Sequence, residues 1–161
     1  MPEFGINSTS INSLNIKKSR ITAEWNITLF ITNHDSYHRL FYNDISLNIN
    51  YNNEHVQRQS LLSAIPLEPF SQRSGFTNTI TVPQIMDVND DDVATHIASS
   101  SSRGIVNFEV MFSGTIKFED VFNFQKLRSV KIVWEPLNFV SNEDHLEDSS
   151  NWILMHGVAC H

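Results

Sequence analysis

Between Ile21 and Thr32 apolar and polar residues alternate almost without error. Ile21, Ala23, Trp25, Ile27, Leu29 and Ile31 hold one parity; Thr22, Glu24, Asn26, Thr28, Phe30 and Thr32 hold the other. Successive side chains of a strand point to opposite faces, so this stretch predicts a strand with one buried and one wet face. The pattern recurs from Phe41 to Tyr51, where Phe41, Ile45, Leu47, Ile49 and Tyr51 stand against Asp44, Ser46, Asn48 and Asn50. It recurs again from Val106 to Phe118, through Val106, Phe108, Val110, Phe112, Ile116 and Phe118. Weaker strands fit Phe4 to Leu14, Val56 to Leu62, Gly75 to Val82 and Leu127 to Trp134, with a last one between Trp152 and Val158. Asp90-Asp91-Asp92 ahead of Val93 and Ile97 predicts an acidic cap on one short helix, ended by the Ser99 to Ser102 run. About seven or eight strands separated by polar turns indicate an all-β antiparallel sandwich. No repeat or long linker divides residues 1–161, so one domain is expected. Phe30 breaks the pattern, because it stands on the wet parity and either closes an edge or marks an apolar contact patch.

A chain of 161 residues is long enough to bury roughly two thirds of its unfolded surface. Its 11 Lys+Arg against 18 Asp+Glu give a formal charge of -7, which opposes phosphate backbones and argues against a nucleic-acid partner. No apolar run reaches the ~18 to 20 residues that span a bilayer, and Met1-Pro2-Glu3-Phe4 lacks the basic and apolar regions of a signal peptide. The single cysteine, Cys160, leaves no internal disulfide and no Cys-based zinc cluster.

The chemistry on offer is sparse. Asn7-Ser8-Thr9 and Asn26-Ile27-Thr28 are glycosylation acceptors, and Asn26 lies on the wet face where a sugar would leave the core undisturbed. In a chain this rich in Asn, Ser and Thr, chance is the plain alternative. Lys17, Lys18 and Arg20 form the one concentrated positive charge, a candidate polyanion contact or a merely solvated turn. His34, Asp35 and His38 share a loop at a spacing that suits a metal, although polar loops on sandwiches are usually there for solvation. The acidic runs Asn89 to Asp92 and Glu143 to Asp148 lack the alternating loop that wraps calcium, so capping and solvation explain them better. Trp25, Phe108, Phe112 and Trp134 fall on alternating positions and read as core rather than a ligand box. No nucleophile motif or acid-base pair is legible, which leaves a hydrolase as the weakest hypothesis. A non-enzymatic domain without cofactor or bound metal is expected.

The segments LNIKKSRITAEWNITLFITN, FYNDISLNINYNN, EPFSQ, GIVNFEVMFSGTIKF and VKIVWEPL resemble, in order and spacing, the late embryogenesis abundant type-two domain. More narrowly they look like its plant branch, the harpin-induced and non-race-specific-disease-resistance-like membrane proteins. The resemblance covers nearly the whole chain and rests on the ordered set, with Ile21–Thr28, Phe41–Asp44 and Glu68–Gln72 at the best-marked places. It implies a seven-stranded sandwich similar to fibronectin type III, on the apoplastic side of the plasma membrane behind an N-terminal anchor. Met1 to Phe4 would then stand in place of that anchor. The resemblance also accounts for the acceptor at Asn26, since such an ectodomain meets the glycosylation machinery. It implies a binding or adhesion module in defence or stress signalling, with a membrane or cell-wall component, another protein or a second copy of the chain as partner. Asn33-His34-Asp35 resembles the Asp-ended adhesion tripeptides of the family, although an ordinary Asx turn is the plain reading. Where many members carry a cysteine on the penultimate strand this chain has Trp134, leaving Cys160 either a free thiol or a link to another chain. The alternative, from relatives associated with lipid movement, is a lipid-handling domain with an apolar cleft between the sheets.

Overall fold

The computed structural model of the chain describes residues 1–53, 58–142, 150–154 and 158–160. These residues are mostly antiparallel strand, with one helix. The strands are β1 (Glu3–Lys17), β2 (Arg20–Thr32), β3 (Arg39–Asn53), β4 (Arg58–Pro66), β5 (Phe70–Gln72), β6 (Thr77–Asn89), β7 (Ile105–Glu119), β8 (Gln125–Asn142), β9 (Ser150–Leu154) and β10 (Val158–Cys160). The helix, α1, is Asp91–Ser102. The all-β expectation with one short helix therefore holds, but the count of about seven strands falls short. Short segments make the difference: β5 and β10 have 3 residues each and β9 has 5. The start foreseen at Val56 lies outside the described residues, as do residues 155–157 within the last strand foreseen between Trp152 and Val158.

All ten strands belong to one sheet, ordered β4-β3-β7-β8-β9-β1-β2-β6, with β5 beside β3 and β10 beside β1. The sheet curls until its outer strands meet, and the Gln84 amide on β6 donates to the Ser63 hydroxyl on β4. The result is a nearly closed, barrel-like sheet in which few edges are left for other strands.

The best-patterned strand behaves as its alternation predicts. Ile21, Ala23, Trp25, Ile27, Leu29 and Ile31 are all buried, while Glu24 and Asn26 are exposed. Across the interior Trp25 meets Phe108 of β7 and Phe139 of β8 edge-on, with ring centroids 4.9 and 5.3 Å apart. Phe4 of β1 packs on Phe112 of β7 at 5.1 Å. Trp134 and Trp152 are buried in the same core, so aromatic rings fill the space between facing strands.

β3 departs from expectation in its first half. Leu40 and Tyr42 are buried, and Phe41, placed inward by parity, is half-buried on the outer face beneath Arg39 and Lys117. The cause is a bulge between Asn43 and Ser46 in the pairing with β7, where Asp44 takes φ 53°. One extra residue shifts the phase by one, and from Ile45 onward the predicted set points inward again.

The helix start is as the sequence indicates. Asp90 is the N-cap, its carboxylate accepting the Val93 N–H at 3.1 Å, and Asp91 and Asp92 sit in the first turn. It ends, as the sequence indicates, with the serine run, at Ser102. Ser101 and Ser102 lie inside α1 with hydroxyls donated back to Ala98 and Ser99 carbonyls. The stop is Gly104, at φ 84°, whose N–H closes on the Ser101 carbonyl.

Candidate functional site

The strand register sorts the loops to two ends. Glu3 pairs with Thr32, Thr32 with Thr77, Arg39 with Glu119, and Glu119 with Gln125. Loops 33–38, 73–76 and 120–124 therefore gather at one end with the start of β1. Lys17 pairs with Arg20, and Arg20 with Asn89, so the β1–β2 turn and the start of α1 lie at the other. The basic turn and the histidine loop are therefore on opposite ends.

At the β1–β2 turn Lys17 and Lys18 are exposed, and Lys18 takes φ 57°. Arg20 is already engaged. Its guanidinium meets Asp87 of β6 through Nε at 3.0 Å and Nη2 at 2.8 Å, and the Asp87 hydrogen bond and charge raise the Arg20 pKa. The Arg20 hydrogen bond in turn holds the Asp87 carboxyl below its usual range. The Asp90 N–H bonds the Ser19 carbonyl at 2.9 Å, bringing Asp90, Asp91 and Asp92 close to the turn. The free positive charge thus narrows from three residues to Lys17 and Lys18.

The loop after β2 is an Asx turn. Asn33 is buried, donates to the His38 carbonyl at 3.0 Å and accepts the Asp35 N–H at 3.0 Å. The Asp35 carboxylate accepts the Tyr37 N–H at 2.8 Å, the His38 N–H at 3.0 Å and the His38 ring at 2.8 Å. Burial pushes this carboxyl up, but the hydrogen bonds from Tyr37 and His38 outweigh it and hold it below the ordinary value. Asn33 and Asp35 are consumed within the loop, so of the proposed adhesion tripeptide His34 alone projects. It meets Glu3 at 2.7 Å, apart from the His38–Asp35 pair. Among the described residues no three His, Cys, Asp or Glu side chains converge. The acidic run at 143–148 lies outside the described residues, as does the Cys160 side chain.

Asn7 and Asn26 are both exposed on the outer face, where they line one shallow depression of about 330 Å³ with Ser8, Thr9, Ser10, Ile153 and Leu154. The acceptor hydroxyls are occupied in the folded chain. Thr9 donates to the Asn26 carbonyl at 3.2 Å, and Thr28 lies 3.3 Å from the Thr81 hydroxyl.

Two features escape the sequence pattern. Gln72 of the three-residue β5 is buried, accepts from the Tyr42 hydroxyl at 2.9 Å and donates to the Ile31 carbonyl at 2.6 Å and Asn78 at 3.1 Å. Phe70 stacks on Tyr42 at 4.3 Å. Thus two of the segments quoted above, Phe41–Asp44 and Glu68–Gln72, meet in space. The other is Val121-Phe122-Asn123-Phe124, apolar residues in a hairpin turn where polar ones are usual; that oddity was the available signal. No family model matches this chain, and no curated protein matches it.

Proposed function

We propose that the domain is a non-enzymatic binding or adhesion module, the apoplastic ectodomain of a plant plasma-membrane-anchored protein of the type-two late embryogenesis abundant kind. On this reading it acts in defence or stress signalling and joins membrane to wall. The faces on either side of the core are the layers of a fibronectin type III-like sandwich, fused along one seam by β8 and β9. The observation that carries the reading is the division of the sheet. Its interior is filled by aromatic and aliphatic side chains, while Asn7 and Asn26 stand exposed on the outer face. Partners then meet the outside of the domain. Contact between the Phe41–Asp44 and Glu68–Gln72 segments supports the resemblance as structural, since Tyr42, Phe70 and Gln72 act as one unit. The alternative, lipid carried inside the sheet, has no support from so packed an interior.

The test is expression of the chain behind an N-terminal membrane anchor in plant cells. The expected result is a glycosidase-sensitive mass shift, part of which disappears on Asn26→Gln. Absence of any shift overturns the apoplastic reading.

A further inference from the structure

All the exposed large aromatic side chains among the described residues lie at one end of the molecule. Tyr37 is 80% exposed, Phe76 57%, Phe122 77% and Phe124 73%, on three separate loops; Val121 and Leu127 join them from the β7–β8 hairpin. The loops form one surface. Asn33 and Gly75 exchange backbone contacts through Asn33 N–H to the Phe76 carbonyl at 3.0 Å and Gly75 N–H to the Asn33 carbonyl at 2.8 Å. Arg39, next to Tyr37, pairs with Glu119 at the base of the hairpin.

The hairpin tip is built rather than frayed. The Asp120 carboxylate accepts the N–H groups of Phe122 at 2.9 Å and Phe124 at 3.1 Å, the Asp120 N–H bonds the Phe124 carbonyl, and the Asn123 N–H bonds the Asp120 carbonyl. Asn123 supplies the positive φ, 63°, that the turn needs. Three consecutive residues, Phe122, Asn123 and Phe124, thus have their N–H groups satisfied within the turn, while the apolar side chains of Val121, Phe122 and Phe124 are exposed. Taking a backbone out of water costs little once its polar groups are paired.

The charge at this end favours an anionic occupant. Of the 11 Lys+Arg in this acidic chain, five surround these loops: Arg39, Arg73, Lys117, Lys126 and Arg128. The acidic groups there, Glu3, Asp35, Glu119 and Asp120, are each hydrogen-bonded to a neighbour and number four against these five cations, so the balance at this end is slightly positive in a chain that is acidic as a whole. Separate apolar points with cations between them suit a planar, deformable layer better than a shaped protein pocket, and aromatic rings favour the headgroup level of a bilayer. We infer that this end docks on an anionic lipid surface, with Val121, Phe122 and Phe124 entering the headgroup region and Lys126 and Arg128 contacting phosphates. The inference stands on these side chains alone and does not depend on the glycosylation result or on the family.

Vesicle co-sedimentation of the full chain tests it, using phosphatidylcholine alone and phosphatidylcholine with about 30 mol% phosphatidylserine. Binding is expected to the mixed vesicles and to weaken with salt. The Phe122→Ser/Phe124→Ser pair should reduce it at least about tenfold with an unchanged melting temperature, because both rings are already in water. Lys126→Ser/Arg128→Ser should reduce it several-fold and flatten the salt dependence, and Lys17→Ser/Lys18→Ser at the opposite end should change nothing. No binding by the parent chain, or binding indifferent to the Phe122 and Phe124 changes, overturns the inference. So does sedimentation velocity showing a dimer that those two changes dissolve, which would assign the patch to a second copy.

Discussion

Gly5 of β1 and Phe30 of β2 stand opposite each other, and a Cβ at position 5 would run into the Phe30 ring. The ring covers a glycine on the outer face, which resolves the anomaly of an aromatic on the wet parity. Gly5→Ala should therefore destabilise the domain by about 1–3 kcal/mol through overpacking. Most of that loss should vanish in a Phe30→Ala background, a non-additivity that a double-mutant cycle of thermal melts would read. The same strand gives the sharper test of register. Ile27 is fully buried and Asn26 exposed, so Ile27→Asp should unfold the domain, an unpaired buried carboxylate costing several kcal/mol against a total of about 5–15. Asn26→Asp should cost under about 0.5 kcal/mol, as surface changes do. Side-chain parity on β2 was fully legible because no bulge interrupts its pairing with β6 from Arg20 to Thr32. Gln72 was not, since a lone amide in a short polar run carries no period; only the fold shows that it ties three strands together.

Among elements, that tie joins β5 to β3, β2 and β6 through Tyr42, Ile31 and Asn78. Gln72→Leu keeps the volume but strands the buried Tyr42 hydroxyl, at about 1–3 kcal/mol for a group left unsatisfied. Burial raises the Tyr42 pKa far above that of a free phenol. The folded state therefore keeps this proton where the unfolded chain gives it up. Its contribution to stability is fully present below about pH 10, the unfolded value, and is lost as pH rises toward the folded one. Urea unfolding above pH 10 should show this decline in the parent and a shallower one in Tyr42→Phe. Element boundaries were read well where the alternation is unbroken, in β2 and β7. They were read poorly at β3, whose Asp44 bulge is a property of pairing with β7 and leaves no trace in the hydropathy pattern. The short β5, β9 and β10 are strands only because a longer neighbour holds each of them.

At the scale of the whole molecule β1 carries the chain from one end to the other, 15 residues or roughly 50 Å at strand rise. An anchor ahead of residue 1 would leave the aromatic loops nearest a membrane and the Lys17–Lys18 turn farthest from it. The two ends differ in kind, one presenting rings among cations, the other two lysines beside a carboxylate-rich helix start. Pectin is a polyanion, and clustered cations attract it through local charge even when a net charge of -7 opposes approach from beyond a Debye length, about 8–10 Å. Weak, salt-sensitive binding to polygalacturonate at low ionic strength is the expected outcome, lost when Lys17, Lys18 and Arg20 are changed together to Ser. The ion pair to Asp87 sharpens this expectation, because Arg20 is occupied while the lysines are free. Lys17→Ser/Lys18→Ser alone should then abolish most of the binding, Arg20→Ser should remove little, and Asp87→Asn, which releases the guanidinium, should strengthen it. His34→Ala/His38→Ala, at the far end, should leave it unaltered. Co-sedimentation with polygalacturonate across this set decides the matter, and an Arg20→Ser loss as large as the double lysine loss would show that the whole turn, ion pair included, is what the polymer reads.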